Sequence, residues 1–187
     1  MKKLPPWETL LENFPNKPAG EVFTEIGGKV KLNYDIGVFS NACATRISKA
    51  LNYSGELHQI PFYKTRDSNG NDVVQVSSGG KKLWYIYRVK ILAEYLREVY
   101  GPPRLIPVDT YRSDLAGKKG IIIFEVSGWT DATGHADLWD GVACVGSDYG
   151  ERASRIKNKN GHPSIEKLVG NLLHIQPTIA RACYTDK

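Results

Sequence analysis

The chain has 187 residues, of which 41% are hydrophobic and 24% charged, and its formal net charge is +5. This length and composition predict one globular domain spanning residues 1–187, with a core at about 5–176 and a short C-terminal tail at 177–187. No apolar run approaches the roughly 20 residues of a membrane span, so we expect no membrane insertion. The basic charge suits an anionic partner but does not choose among nucleic acid, membrane surface and cell wall.

The N-terminus begins with basic residues and has no apolar segment after them. The stretch Met1–Trp7 is therefore not typical of a secretory signal peptide. We expect the protein either to stay in the cytosol or to leave by a route that needs no such signal.

The first half of the chain predicts helices separated by polar loops. Apolar residues recur at helical spacing, and proline or glycine ends each segment. The predicted helices are Pro6 to Phe14, Glu21 to Ile26, Ala42 to Leu51 and Val89 to Tyr100. A polar stretch at 56–82 is expected to carry a hairpin tip or a long loop, and Trp84 to Tyr87 is expected to be extended.

The last third predicts antiparallel strands. These are Ile121 to Val126, His135 to Trp139, Val142 to Val145 and Val169 to Ile175. Helices followed by a sheet indicate an α+β fold, with N-terminal helices packed on an antiparallel β-sheet.

Cys43 falls at the start of the predicted helix Ala42–Leu51, after Ser40 or Asn41 as the N-cap. Unpaired backbone N–H groups and the helix dipole at such a position favour a thiolate, which is the nucleophilic form of cysteine. The same N–H groups can hold the oxyanion of an acyl-transfer intermediate. The alternative is that Cys43 is a small buried apolar residue.

His135 opens a strand, where an imidazole can act as the base for a helix-borne thiol. Asp140-Gly141 predicts a two-residue hairpin turn after this strand. The opposed pairs would be Trp139 with Val142, Asp137 with Cys144, and His135 with Gly146. Asp137 and Asp148 would then share the face of His135, and either carboxylate could orient its ring. Asp140 itself would serve only the turn.

Other possible sites have weaker signals. The three cysteines form no CxxC pair, so the sequence does not predict a structural zinc site. Neither Gly27-Gly28 nor Gly79-Gly80 matches a phosphate-binding loop. No metal or cofactor is therefore predicted.

Several segments resemble the type VI secretion amidase effectors of the fourth family. Asn41–Ser48 resembles their nucleophile segment, and Tyr85–Val89 and Gly117–Ile122 are similar to segments that follow it. The histidine hairpin of the family is matched by Gly128-Trp129, Gly134-His135 and Leu138–Gly141. The matches occur in the family's order and span roughly residues 20–150.

This resemblance implies a papain-like core of the NlpC/P60 type and a cysteine amidase with Cys43 as nucleophile and His135 as base. Asn41 would help to hold or position the oxyanion. The reaction would be hydrolysis of the D-glutamyl–meso-diaminopimelate amide bond in peptidoglycan stem peptides, without a metal or cofactor. A type VI apparatus would deliver the protein to the periplasm of a target bacterium, and a cognate immunity protein would protect the producer. Nucleic acid would not be a partner.

The chain departs from the family at the third catalytic residue. Family members carry an aspartate on the strand after the histidine, often between two cysteines. Here Cys144 takes the first cysteine position and Gly146 follows it, with Asp148 two residues further on. Asp148 is the favoured acid and Asp137 its alternative. A disulfide between Cys144 and Cys183 would leave Cys43 as the free thiol.

Two other functions remain open from the sequence. One is a papain-like cysteine hydrolase or acyltransferase that acts on another amide or ester. The other is a non-catalytic protein that binds cell-wall polymer through its basic surface, with Cys43 only packed in the core.

Overall fold

A computed structural model describes residues 1–107, 110–125 and 134–146, together with the backbone of residues 179–184; the side chain of residue 125 is not described. The described part is an α+β fold. Its helices are α1 (Trp7–Asn13), α2 (Ala19–Ile26), α3 (Gly28–Asp35), α4 (Cys43–Asn52), α5 (Val89–Tyr100) and α6 (Tyr111–Asp114), with a 3₁₀ turn at Glu56–His58.

The strands form two short hairpins and one four-stranded sheet. The hairpins pair β1 (Lys64–Arg66) with β2 (Asp72–Val74), and β3 (Val76–Ser78) with β4 (Trp84–Ile86). The sheet contains β5 (Arg104–Pro107), β6 (Gly120–Glu125), β7 (Gly134–Trp139) and β8 (Ile179–Tyr184). Its order is β5-β8-β6-β7, and every neighbouring pair is antiparallel.

Helix α4 is the central element of the described part, because it contacts α1, α5, β4 and β7. Cys43, Ile47, Ala50 and Leu51 lie on its buried side, as their spacing predicted. Burial of a large aliphatic side chain contributes about 1.5–3 kcal/mol relative to exposure, so this face anchors the helix to the sheet. The start of α4 is thereby fixed against β7.

The predicted C-terminal tail contains a β-strand, β8. Residues 177–187 were expected to lie outside the core, but β8 occupies the middle of the sheet. Its backbone pairs with β5 on one side and β6 on the other. A six-residue segment, Ile179–Tyr184, was missed because its strand character depends on partners far away in sequence. The strand predicted at Val169–Ile175 lies outside the described residues.

The hairpin after β7 has a different register from the predicted one. Trp139 bridges to Cys144 rather than Val142, so the connection has four residues instead of two. Asp140 causes this, because its Oδ1 accepts hydrogen bonds from the N–H groups of Val142 (2.7 Å) and Ala143 (2.8 Å). Such a side-chain-capped turn replaces the tight two-residue turn. The prediction that Asp140 serves the turn is confirmed.

The predicted Cys144–Cys183 disulfide does not fit this sheet. Cys183 lies opposite Ile121 of β6, whose other neighbour is Leu138 of β7. Cys144 lies beyond β7, on the edge away from β6. Three strand spacings separate the two backbones by roughly 14 Å. A disulfide requires Cα atoms within about 4.4–6.8 Å.

Among the described residues, no helix combines the length and the apolar character that crossing a membrane would require.

Candidate active site

Cys43 is the first residue of α4, after Ala42 at the N-cap position. Its side chain is buried, with 2% of the residue exposed. The Cys43 N–H donates a 3.0 Å hydrogen bond to Oδ1 of Asn41. Asn41 thus fixes the backbone at the thiol from one residue outside the N-cap position, and its carbonyl oxygen satisfies one of the unpaired N–H groups of the helix start.

Two buried polar side chains tie α4 to its neighbours. Ser48 Oγ accepts a hydrogen bond from the Ile86 N–H at 3.1 Å. Asn52 donates to the Trp84 carbonyl at 2.8 Å and accepts from the Ile60 N–H at 2.8 Å. Two of these bonds hold α4 against β4, and the third holds it against the backbone at Ile60. Because the body of the helix is held in this way, the position of Cys43 at its start is held as well.

His135 is the second residue of β7, with 4% of the residue exposed. Its ring lies parallel to that of Phe124 on the neighbouring strand, with ring centroids 6.5 Å apart. The Cys43 thiol is among the groups that raise the pKa of the imidazole, so the two side chains are neighbours in the site. The structure therefore brings together the thiol and the imidazole that the sequence placed 92 positions apart.

Asp137 stands beside the histidine on the same face of β7. Its Oδ2 lies 3.4 Å from Nε2 of His135. Its Oδ1 accepts hydrogen bonds from the N–H groups of Leu138 (2.8 Å) and Gly146 (3.0 Å). Only 1% of Asp137 is exposed, so the carboxylate is held inside the protein by donors.

The protonation of His135 reflects these neighbours. Burial alone would lower the pKa of an imidazole. Hydrogen bonds with Asp137 and Cys43, and the charges of both groups, outweigh burial and raise the pKa of His135 to about 9. The site therefore favours an imidazolium beside the sulfur at neutral pH.

The other predicted site residues have different outcomes. Asp148, the favoured acid, lies outside the described residues, so its role stays a prediction. Asn41 contacts the backbone of Cys43, which is a positioning contact. Gly146 was expected opposite His135, but its N–H binds Asp137. Recognising the Asp140-capped turn in the sequence would have shifted the register by two residues and revealed this contact.

Within the described part, no three His, Cys, Asp or Glu side chains come together as metal ligands. The described site instead combines a helix-borne thiol, a strand-borne imidazole and a carboxylate. On an α+β fold this combination defines the papain-like cysteine hydrolases, and the solved relatives have that fold in its NlpC/P60-like form.

The chain belongs to the family described as type VI secretion system amidase effector protein 4, which matches residues 39–165. It is therefore a cysteine amidase, one of the effectors that cleave peptidoglycan. The matched range includes Cys43, His135 and Asp137.

Solved structures give the same result over the whole chain. One is the effector Tae4 from Salmonella typhimurium, solved in complex with the immunity protein Tai4 from Enterobacter cloacae. It is 28% identical to this chain with a TM-score of 0.72, and the match covers 98% of this chain and 100% of the Tae4 chain. Tae4 from Enterobacter cloacae in complex with Tai4 is 28% identical with a TM-score of 0.71, covering 100% of both chains. Uncomplexed Tae4 from Enterobacter cloacae is 30% identical, with a TM-score of 0.68 and the same coverage. No protein with a curated description matches the chain.

Proposed function

We propose that this chain is an antibacterial type VI effector that hydrolyses the D-glutamyl–meso-diaminopimelate amide of peptidoglycan stem peptides, with Cys43 as nucleophile. The observation that carries the proposal is the placement of the buried Cys43 thiol beside His135, whose Nε2 lies 3.4 Å from Oδ2 of Asp137. The family membership supplies the reaction class and the substrate polymer.

The first half of the reaction forms a thioester. Because Nε2 contacts Asp137, we assign Nδ1 of His135 the transfer of the thiol proton. The thiolate attacks the carbonyl carbon, and backbone N–H groups at the start of α4 hold the oxyanion. Asn41 positions this segment through its bond to the Cys43 N–H. The C–N bond then breaks, and the imidazolium protonates the leaving amine.

The second half releases the acid. His135 takes a proton from water, and the hydroxide attacks the thioester carbonyl. The C–S bond breaks and the Cys43–His135 pair is regenerated; the glutamyl product leaves as a carboxylic acid, which loses its proton to the released amine through the solvent. No redox partner is needed, since the net reaction is amide plus water to acid plus amine.

Asp137 is proposed as the acid of this site. Its Oδ2 contact stabilises the imidazolium and holds the ring orientation during both proton transfers. Asp148 remains the alternative acid predicted from the sequence.

Partners and location follow from the family. The solved relatives include Tae4–Tai4 effector–immunity complexes, which supports a cognate immunity protein as an inhibitor of this chain. As a type VI effector it would be delivered by that apparatus to the periplasm of a target cell, where peptidoglycan lies. Residues 1–187 would act as one domain, since β8, near the end of the chain, pairs with β5 and β6 inside the sheet.

The test is digestion of purified muropeptides, with products read by mass spectrometry. Wild-type protein should release fragments cut between D-glutamate and diaminopimelate. Cys43→Ala and His135→Ala should reduce the rate at least a hundredfold. Cys144→Ala is the matched control, because it removes a thiol outside the site, and it should retain the wild-type rate.

Other products separate the rival functions. Cleavage of a different bond, lost in Cys43→Ala, would indicate a papain-like hydrolase or acyltransferase of another specificity. Retention of full cleavage by Cys43→Ala would contradict the mechanism. Wall binding without any product from the wild type would favour a non-catalytic binding protein.

A further inference from the structure

We propose that Gly146 is a positioning residue that seats the Asp137 carboxylate against His135, and that the acid of the site can be moved from position 137 to position 146. The inference rests on the proposed function. It concerns how the carboxylate is held, which the sequence pattern left undecided.

The space for the carboxylate exists because residue 146 has no side chain. A Cβ atom at position 146 would lie 3.1 Å from Asp137 Oδ2, 3.2 Å from Oδ1 and 3.3 Å from Cε1 of Phe14. Such distances are tighter than ordinary van der Waals contact, so one of these neighbours would have to move. Glycine is required at position 146 because there is no room for a side chain; the backbone conformation does not require it, since φ is not positive.

The carboxylate has little freedom to move. Its Oδ1 accepts from Leu138 and Gly146, and its Oδ2 faces His135. Any shift that makes room for a methyl group at 146 lengthens at least one of these contacts. Moving Oδ2 away from Nε2 would weaken the hydrogen bond and the charge interaction through which Asp137 raises the pKa of His135.

The segment that carries Gly146 is fixed as well. The Val145 N–H donates to the Leu138 carbonyl at 2.9 Å, and the Val145 carbonyl accepts from Asn16 Nδ2 at 3.0 Å. Residue 146 therefore cannot swing away easily when it acquires a side chain. The strain falls on Asp137 and on the edge of Phe14.

The same geometry allows the acid to change strands. A Cβ at 146 would lie next to both oxygens of the present carboxylate. An aspartate at 146 would thus place its own carboxylate in that volume once residue 137 is reduced to alanine. Its oxygens would lie beside His135 from the opposite strand and would perform the same orienting role.

The experiment uses four variants of the full chain: Gly146→Ala, Asp137→Asn, Asp137→Ala, and Asp137→Ala combined with Gly146→Asp. Each is measured for muropeptide kcat against pH and for the NMR titration of His135. We expect Gly146→Ala, Asp137→Asn and Asp137→Ala to lose at least tenfold in kcat. Their His135 pKa should fall from about 9 towards the ordinary value of 6.5. The double variant should recover at least fivefold over Asp137→Ala, with a raised His135 pKa.

Val142→Ala is the matched control, since Val142 lies in the turn that leads to Gly146 and its side chain is exposed. It should leave both readouts at wild-type values. A folded Gly146→Ala protein with wild-type kcat and His135 titration would overturn the proposal. So would a folded double variant with no gain over Asp137→Ala in either readout. The NMR titration needs no substrate, so it tests the seating of Asp137 even where muropeptides prove not to be the substrate.

Discussion

Asp137 Oδ2 lies 3.4 Å from His135 Nε2, and the two residues are neighbours on one face of β7. Strand periodicity alone aligns them, because side chains two apart in a strand point the same way. The base and the acid are thus a local unit of the sequence. Only the thiol must be brought by tertiary structure, and α4 brings it.

This relationship predicts a pH dependence of stability. The pKa of His135 is about 9 in the folded protein, against 6.5 for an unperturbed histidine. The folded state therefore binds more protons than the unfolded state between these values. The stabilising contribution is fully present below about pH 6.5 and is lost as pH rises through about 9. Urea unfolding across this range should show a falling free energy of unfolding.

His135→Gln should flatten this fall, and the difference between variant and wild type isolates the histidine. His58→Gln is the control. Burial, followed by the nearby Lys2 charge, lowers the pKa of His58, so its contribution is lost as pH falls. It should leave the slope between pH 6.5 and 9 unchanged. An equal slope in wild type and His135→Gln would contradict the assigned charge.

The Asn41 contact predicts a joint effect on stability and catalysis. Asn41→Ala removes the acceptor of the Cys43 N–H and should cost about 1 kcal/mol, as loss of a helix-end acceptor does. It should also lower kcat several-fold, because the segment carrying the thiol is less fixed. Chemical unfolding and muropeptide kinetics measure the two effects.

Asn41→Asp is the informative companion. It keeps an oxygen acceptor, so stability should remain near wild type. Its negative charge lies next to the developing oxyanion, so kcat should still fall. A wild-type kcat in both variants would contradict the proposed role of Asn41 in positioning the thiol.

The sequence predicts this site well where the signal is local. The helix around Cys43 follows from apolar spacing and a polar residue before it, and the strand at His135 from its alternation. The hairpin register was wrong because Asp140 can cap a turn with its side chain, which competes with the two-residue turn. Strand β8 was missed because both its partners are more than 50 residues earlier in the chain.

The bonds of Ser48 predict a specific loss of stability. Ser48→Ala leaves the buried Ile86 N–H without its acceptor and should cost about 1–3 kcal/mol. Ser54→Ala is the matched control: both hydroxyls bond to the carbonyl four residues earlier, but only Ser48 also binds β4. Ser54→Ala should cost less than half as much. Equal losses in urea unfolding would show that the bond to β4 contributes nothing.

The two glycine pairs, which match no phosphate-binding loop, have a structural explanation that yields a final prediction. Gly28 has a φ of +61°, and a Cβ there would lie 2.5 Å from the backbone carbon of Gly79 and 2.8 Å from the nitrogen of Gly80. Two backbone segments thus meet closely at the start of α3. Gly28→Ala should destabilise the protein by at least about 3 kcal/mol, because the neighbouring backbone must move and the alanine must also adopt a strained φ.

Gly37 is the matched control, with a φ of +74° and nothing within 4 Å of its Cβ position. Gly37→Ala should cost only about 1 kcal/mol, and an equal loss in both variants would show that φ, rather than the close approach, selects glycine at position 28.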